Sequence, residues 1–245
     1  MWDYAFLGIL QGIFEWIPIS SEGIVALTSQ FLIEKINPVD VALFLHLGTL
    51  FAVLIYFRKD WIEILTFKDL KLLRFLIIAT IVSLIIGFPF YKLVKSMVIG
   101  NTILLLTGFG LLLTAYFHKT KKTFEVNFQK LAVISGFLQG LAVIPGVSRS
   151  GSTIFGLSLG KLNPPTILKV SYMMSVPAIL ASSFYIFWNN PVLVFESWLA
   201  LIFSFLVGII TLHFLINLSK KINFFKFALI FALLCFLGAV IGFLI

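Results

Sequence analysis

Apolar residues along this 245-residue chain fall into long runs that are separated by short charged loops. A helix needs about 20 predominantly apolar residues to cross a bilayer, with some slack at each end. Six runs come close to that length: 39–57, 75–91, 98–117, 166–188, 198–216 and 227–245. The pattern therefore predicts six transmembrane helices, and Pro177 predicts a kink inside the fourth.

Four further apolar segments are too short to cross a bilayer, and they occur as two pairs. Residues 1–16 and 23–33 flank a polar segment that begins at Pro18, and residues 131–144 and 152–162 flank a second one. Irregular backbone is tolerated at membrane depth only where it is buried in protein or lines a cavity. Each pair is therefore predicted to form a re-entrant helical hairpin.

The same order of elements, a hairpin followed by three spans, occurs twice. Residues 10–12, Leu-Gln-Gly, recur as residues 138–140, and two more matches share that spacing, Ser20 with Ser148 and Gly23 with Gly151. We interpret the chain as one all-α polytopic membrane domain made of two repeats, 1–124 and 125–245. Because each half crosses the membrane three times, the second half is predicted to be inverted relative to the first.

Composition agrees with a membrane protein, since 60% of the residues are hydrophobic and 11% are charged. Soluble domains are nearer 45–50% apolar and about 25% charged. The net charge of +8 would suggest nucleic-acid binding in a soluble protein, but here most Lys and Arg residues fall in loops on one side. By the positive-inside rule the basic loops are expected in the cytoplasm and both termini outside, in the cell (plasma) membrane, with no nucleic-acid partner.

Intramembrane polar residues cluster at the two hairpin turns. Arg149 lies in an otherwise apolar region, where a charge is costly without a partner or a ligand. Gln11 and Glu15 are four residues apart and should share one helix face. Glu15 either pairs with Arg149 and holds the hairpins together or takes part in chemistry.

The second hairpin turn has the composition of a phosphate site. Helix N-termini present free N–H groups and partial positive charge, glycine lets the backbone approach a ligand, and arginine matches phosphate oxygens in a planar fork. The predicted phosphate-binding residues are Gln11, Ser20, Ser148, Arg149, Ser150, Gly151 and Thr153. In contrast, His46 and His213 lie in apolar spans, and we interpret both as hydrogen-bonded packing residues.

At these two turns the chain resembles the undecaprenyl-diphosphate phosphatase family of the bacitracin-resistance type. The first family motif, Glu/Gln-x-x-x-Glu and then Pro-x-Ser-Ser, occurs at residues 11–15 and 18–21. The second, Pro-Gly-x-Ser-Arg-Ser-Gly-x-Thr, occupies residues 145–153 without a break, and residues 45–49 and 171–177 also resemble family segments. The resemblance implies removal of the terminal phosphate from a polyprenyl diphosphate, which recycles the lipid carrier for cell-envelope glycan synthesis. It also implies a divalent cation, Mg²⁺ or Ca²⁺, and often a homodimer.

The resemblance also implies roles for individual residues. Arg149 would grip the diphosphate, and Ser21 would act as the nucleophile or orient an attacking water. Glu15 would be the base or a metal ligand, and Gln11 fills the variable first position of its motif. Hydroxyl groups would assist at three positions: Ser20, Ser148 and Thr153.

One position departs from the family pattern, which continues Ser-Ser-Thr-Gly-His where this chain has Glu22, Gly23 and Ile24. Ile24 can neither transfer protons nor bind a metal, so we predict that Glu22 substitutes as base or metal ligand. The alternative function is a transporter or flippase for a lipid phosphate or small anion at the same midplane site. Inverted repeats with broken helices are typical of transporters.

Overall fold

The computed structural model describes residues 2–17, 21–33, 37–94, 109, 112, 127–144, 147–221 and 224–244. Within these ranges the chain is helical and contains no strand. The helices are α1 Trp2–Phe14, α2 Ser21–Leu32, α3 Pro38–Tyr56, α4 Arg58–Leu65, α5 Leu70–Val94, α6 Phe128–Leu141, α7 Arg149–Ser158, α8 Pro164–Asn189, α9 Pro191–Glu196, α10 Trp198–Lys221 and α11 Phe224–Leu244. The all-α prediction is confirmed.

Four of the described helices, α3, α5, α8 and α10, are long and apolar enough to cross a membrane. They match the first, second, fourth and fifth predicted spans, and α11 lies where the sixth was predicted. The third predicted span, 98–117, lies outside the described residues except for residues 109 and 112. Many large apolar side chains on these helices, such as Phe184, Ile210 and Phe214, are exposed as a lipid-facing surface would require.

The ends of several helices follow from local sequence. Asn37 accepts a hydrogen bond from Val39 N at 2.9 Å at the start of α3, and Asn163 accepts one from Thr166 N at 2.9 Å at the start of α8. Each Asn precedes a proline at the first helical position. A backbone N–H at that position has no acceptor within the helix, so proline, which lacks the N–H, is tolerated there. Helix α8 continues through Pro177, and the predicted kink there stays a prediction.

The first helix of the first hairpin, α1, packs against α10 from the other half of the chain. Gly8 and Gly12 form the contact. A Cβ atom at Gly12 would lie 2.8 Å from Gly208 N, and one at Gly8 would overlap the backbone of Ala200. Two small residues one helical turn apart therefore allow the two backbones to approach closely.

The first helix of the second hairpin, α6, packs in the corresponding way against α5. A Cβ atom at Gly136 would lie 2.5 Å from Ala79 O, and one at Gly140 would lie 2.9 Å from Ser83 O. Each hairpin is thus fixed by small residues to a span of the opposite half. The division into residues 1–124 and 125–245, and the inversion of one half, stay predictions.

The end of α1 is held in the protein core by Trp16, which is 1% exposed. Its indole Nε1 donates to Gly208 O at 2.8 Å, and its own carbonyl accepts from the Tyr172 hydroxyl at 3.1 Å. The Trp16 and Tyr172 rings meet edge to face, with centroids 5.0 Å apart. These contacts join α1, α8 and α10 next to Glu15, so they fix the position of that carboxylate.

Candidate active site

The carboxylate of Glu15 is the centre of the candidate site. Glu15 directly follows α1 and is 2% exposed. Its Oε2 accepts hydrogen bonds from Gln11 Nε2 at 2.6 Å and from Ser21 Oγ at 3.0 Å, and its Oε1 forms an ion pair with Arg149 Nη2. The shared helix face of Gln11 and Glu15 is therefore confirmed, and Glu15 joins the two hairpins.

Arg149 is the first residue of α7. Ser148 caps this helix, because its Oγ accepts a hydrogen bond from Gly151 N at 3.1 Å. The Arg149 side chain is 14% exposed, and its Nη1 is buried with no hydrogen-bond partner among the described residues. Buried polar groups in proteins are nearly always paired, so an unpaired guanidinium nitrogen beside a helix N-terminus is a natural donor to an anionic ligand.

The other predicted hydroxyls of α7 have partners within the protein. Ser150 Oγ donates to Ile17 O at 3.1 Å and lies 3.1 Å from Ser148 Oγ. Thr153 Oγ1 donates to Arg149 O at 2.9 Å and lies 2.6 Å from Ser171 Oγ. These contacts hold α7 against the end of α1 and against α8. Contact of these residues with a substrate stays a prediction.

Two buried oxygen acceptors near Glu15 have no hydrogen-bond partner among the described residues: Oε1 of Glu22 and Oε1 of Gln11. Glu22 is the second residue of α2 and is 6% exposed. It interacts electrostatically with His46. Glu22 is therefore inside the protein, and its role as base or metal ligand stays a prediction.

His46, interpreted from the sequence as a hydrogen-bonded packing residue, lies against the carboxylate of Glu15. His46 lies in the middle of α3 and is 7% exposed. Its Nδ1 is 2.7 Å from Ala42 O, and its Nε2 is 3.2 Å from Glu15 Oε2. The resemblance of residues 45–49 to a family segment was the signal for a site residue, but apolar neighbours in sequence obscured it.

His213, the other histidine in a described span, is outside this cluster. Its ring lies on the exposed face of α10, 3.3 Å from the Tyr56 hydroxyl and 2.7 Å from Asn217 Nδ2. It keeps the hydrogen-bonded packing role predicted for it.

A family model described as "Bacitracin resistance protein BacA" matches residues 4–239, nearly the whole chain. The chain belongs to the bacitracin resistance protein BacA family. Three proteins named undecaprenyl-diphosphatase are among its relatives. One from Haloarcula marismortui is 33% identical, with 96% of each chain covered. One from Methanothrix thermoacetophila is 34% identical over 91% of each chain, and one from Sulfurihydrogenibium sp. is 34% identical over 89% of this chain and 88% of its own length.

The structure shows where residues of the two family motifs lie relative to one another. Glu15, Ser21 and Arg149, from both motifs, lie in one buried cluster. Ile24 is half-buried on α2, one helical turn after Ser21. Four other motif residues, Pro18, Ser20, Pro145 and Gly146, lie outside the described residues.

The oxygen-rich side of the site fits the divalent cation expected from the family. Mg²⁺ and Ca²⁺ take oxygen ligands, and Mg²⁺ is commonly held by one or two carboxylates together with substrate phosphates. Glu15, Glu22 and Gln11 offer such oxygens, two of which are buried without a hydrogen-bond partner in the described part of the chain. No group of three His, Cys, Asp or Glu side chains among the described residues could hold a metal ion. A cation would therefore need phosphate oxygens to complete its ligands.

Proposed function

We propose that this chain is a membrane phosphatase that hydrolyses a polyprenyl diphosphate of the undecaprenyl type to the monophosphate and inorganic phosphate. The observation that carries the proposal is the buried contact of Ser21 with Glu15, which is itself paired with Arg149. A hydroxyl, a proton acceptor and an anion-binding group thus meet at one point. The names of the BacA-family relatives support the same reaction, and its product would return to cell-envelope glycan synthesis as the lipid carrier.

Binding would use the positive end of the site. Arg149 Nη1 has no hydrogen-bond partner among the described residues, so it can donate to a phosphate oxygen while Nη2 stays with Glu15. The N-terminus of α7 adds partial positive charge at the same place. The polyprenyl chain would lie among the apolar surfaces of the spans, where hydrocarbon is the favoured surrounding.

The chemical step is a phosphoryl transfer, in which positioning and charge neutralisation supply most of the catalysis. The attacking oxygen is Ser21 Oγ or a water that Ser21 orients, and it forms a bond to the terminal phosphorus. The bond from that phosphorus to the bridging oxygen breaks, and the lipid monophosphate leaves. If water attacks, inorganic phosphate forms directly. If Ser21 Oγ attacks, a phosphoserine forms, and a water then attacks its phosphorus, which releases inorganic phosphate and restores the Ser21 hydroxyl. Glu15 Oε2, 3.0 Å from Ser21 Oγ, accepts the proton of the attacking group.

A divalent cation held by Glu15, Glu22 and Gln11 would supply charge neutralisation at the phosphoryl oxygens. Glu22 also places a second carboxylate beside the site where family members have Thr. Its unpartnered Oε1 is the reason to assign it to the cation rather than to the helix cap.

The decisive experiment measures phosphate release from a C55 polyprenyl diphosphate by detergent-purified protein, with Mg²⁺, with Ca²⁺ and with EDTA. We expect metal-dependent release that Ser21→Ala and Arg149→Ala each reduce by about 100-fold or more. Ser29→Ala is the matched control, because Ser29 lies on the same helix as Ser21 and, among the described residues, its Oγ donates to Ala26 O of its own helix. It should keep wild-type activity.

Two results would overturn the proposal. Release that is unaffected by Ser21→Ala and Arg149→Ala would place the chemistry elsewhere. No release from the wild type, combined with lipid binding that depends on Arg149, would favour the transporter or flippase alternative.

We further propose that the basic loops face the cytoplasm and that both termini lie outside. The α4–α5 region carries the exposed side chains Arg58, Lys59 and Lys68 at one end of the spans. Single cysteines placed at Lys59 and at Trp2 in a Cys235→Ser background should differ in labelling by an impermeant maleimide. Labelling of Lys59→Cys in intact cells would contradict the orientation.

A further inference from the structure

We infer that His46 is a positioning residue, which holds the Glu15 carboxylate toward Ser21. The inference rests on the proposed phosphatase function and deepens it. Residue 24 is where the family pattern has a histidine, and in this chain that residue is Ile24. The structure brings a different histidine, from α3, into the same cluster.

The ring of His46 is fixed from both sides. Ala42 O, 2.7 Å from Nδ1, can only accept a hydrogen bond, so Nδ1 carries a proton. The opposite ring nitrogen, Nε2, lies 3.2 Å from Glu15 Oε2. A side chain that is 7% exposed and bonded at both ends has little freedom to move. His46 therefore ties Glu15 to the rigid centre of α3.

The contact of His46 with Glu15 is important because two other partners of Glu15 also take part in substrate binding or in the reaction. Arg149 lies on the second hairpin and is also the group expected to bind the diphosphate. Ser21 is the group whose proton is removed, so its hydrogen bond to Oε2 changes during the reaction. Gln11 and His46 are the remaining described partners of the carboxylate. Of these, only His46 comes from an element outside the hairpins, so it holds Glu15 from α3 while Ser21 reacts and Arg149 binds the diphosphate.

The contact of His46 with Glu15 is of particular importance in this chain because residue 24 is not a histidine. It follows Ser21 by three positions on α2, so the two side chains share a helix face. A histidine there would face the same cluster, whereas the half-buried Ile24 offers no hydrogen bond. His46, which also interacts with Glu22, supplies an imidazole to the cluster from α3 instead.

The test compares three substitutions of His46 by steady-state kinetics on the C55 polyprenyl diphosphate. Leu removes the hydrogen bond at similar bulk, Asn keeps a polar group too short to reach Glu15, and Gln keeps an N–H group that can reach it. His213→Leu is the matched control, because His213 is the other histidine in a described span and, in the described part of the chain, its ring nitrogens contact Tyr56 and Asn217. Chromatographic profile and melting temperature in detergent check that each variant folds.

We expect His46→Leu and His46→Asn to lower kcat by about 10- to 100-fold with KM near the wild-type value. His46→Gln should keep most of the wild-type kcat, because positioning needs a polar group that reaches Glu15 and no proton transfer. His213→Leu should match the wild type. If His46→Leu does not fold, the kcat values of His46→Asn and His46→Gln test the positioning role instead.

Three results would overturn the inference. One is a wild-type kcat in His46→Leu, and another is a rise in KM alone, which would mean substrate contact. The third is a loss in His46→Gln as large as that in His46→Leu, which would mean that the imidazole itself is needed. Failure of the wild type to release phosphate would instead count against the proposed function, so the two failures are distinguishable.

Discussion

The ion pair of Glu15 with Arg149 gives a prediction in which stability and activity separate. The pair joins the first hairpin to the second, and the two side chains are 1% and 14% exposed. Breaking a buried pair by removing one charge leaves the other unpaired, which costs about 3–5 kcal/mol. Because Arg149 keeps some exposure to water, we take the lower end, about 3 kcal/mol, for Glu15→Gln and for Arg149→Gln.

For a chain of this size, about 3 kcal/mol corresponds to a fall in melting temperature of roughly 6–12 °C. The double variant Glu15→Gln/Arg149→Gln buries no unpaired charge, so it should melt close to the wild type although both single variants do not. All three variants should lack phosphatase activity. The assay is thermal unfolding of detergent-purified protein followed by tryptophan fluorescence, with phosphate release measured in parallel.

The pair of Lys169 with Asp60 is the matched control. Its atoms are 2.7 Å apart, but its side chains are 34% and 27% exposed. Asp60→Asn should therefore cost at most about 1 kcal/mol, or roughly 2–4 °C. The reasoning would be refuted if the melting temperature of Glu15→Gln/Arg149→Gln fell by the sum of the losses of its two single variants. The two charges would then not compensate each other.

Two other predictions concern helix packing and the support of α7. Gly12→Val should destabilise the fold by about 1–3 kcal/mol, because its new Cβ would lie 2.8 Å from Gly208 N; Gly87→Ala, whose nearest neighbour is a side-chain atom at 3.3 Å, should melt within a few degrees of the wild type. A wild-type melting temperature for Gly12→Val would contradict this. Thr153→Val should lose more activity than Thr153→Ser, because Ser keeps a hydroxyl for the 2.6 Å contact with Ser171, and equal phosphate release by the two variants would show that this contact does not support the site.

Hydropathy was sufficient to predict most of the helices. The runs at 39–57, 166–188 and 198–216 match α3, α8 and α10, because a membrane requires every backbone group in a span to be bonded within its own helix. The short helices α4 and α9 were not predicted, since each is shorter than the window of about 11–18 residues over which a helical apolar pattern can be recognised.

Packing between the halves could not be predicted from hydropathy. Gly8 and Gly12 are visible in the sequence as small residues one turn apart, but the neighbouring residues do not indicate that α10 packs against them. Close approach of two backbones depends on the shape of both helix surfaces, so only the folded chain decides it.

Some features of the candidate site were predictable from the sequence, and others were not. Sequence patterns were sufficient to predict the membrane class of the protein and to select Glu15 and Arg149 as candidate site residues, because charged groups in apolar segments are costly and so mark a site. Ser21 was selected by its motif. The contact of His46 with Glu15 and the hydrogen bond between Thr153 and Ser171 became visible only in the folded chain. Both facts depend on contacts between helices that are distant in sequence. Hydrogen bonds act over about 3 Å, and that distance is set by the packing of helices and not by the order of residues along the chain.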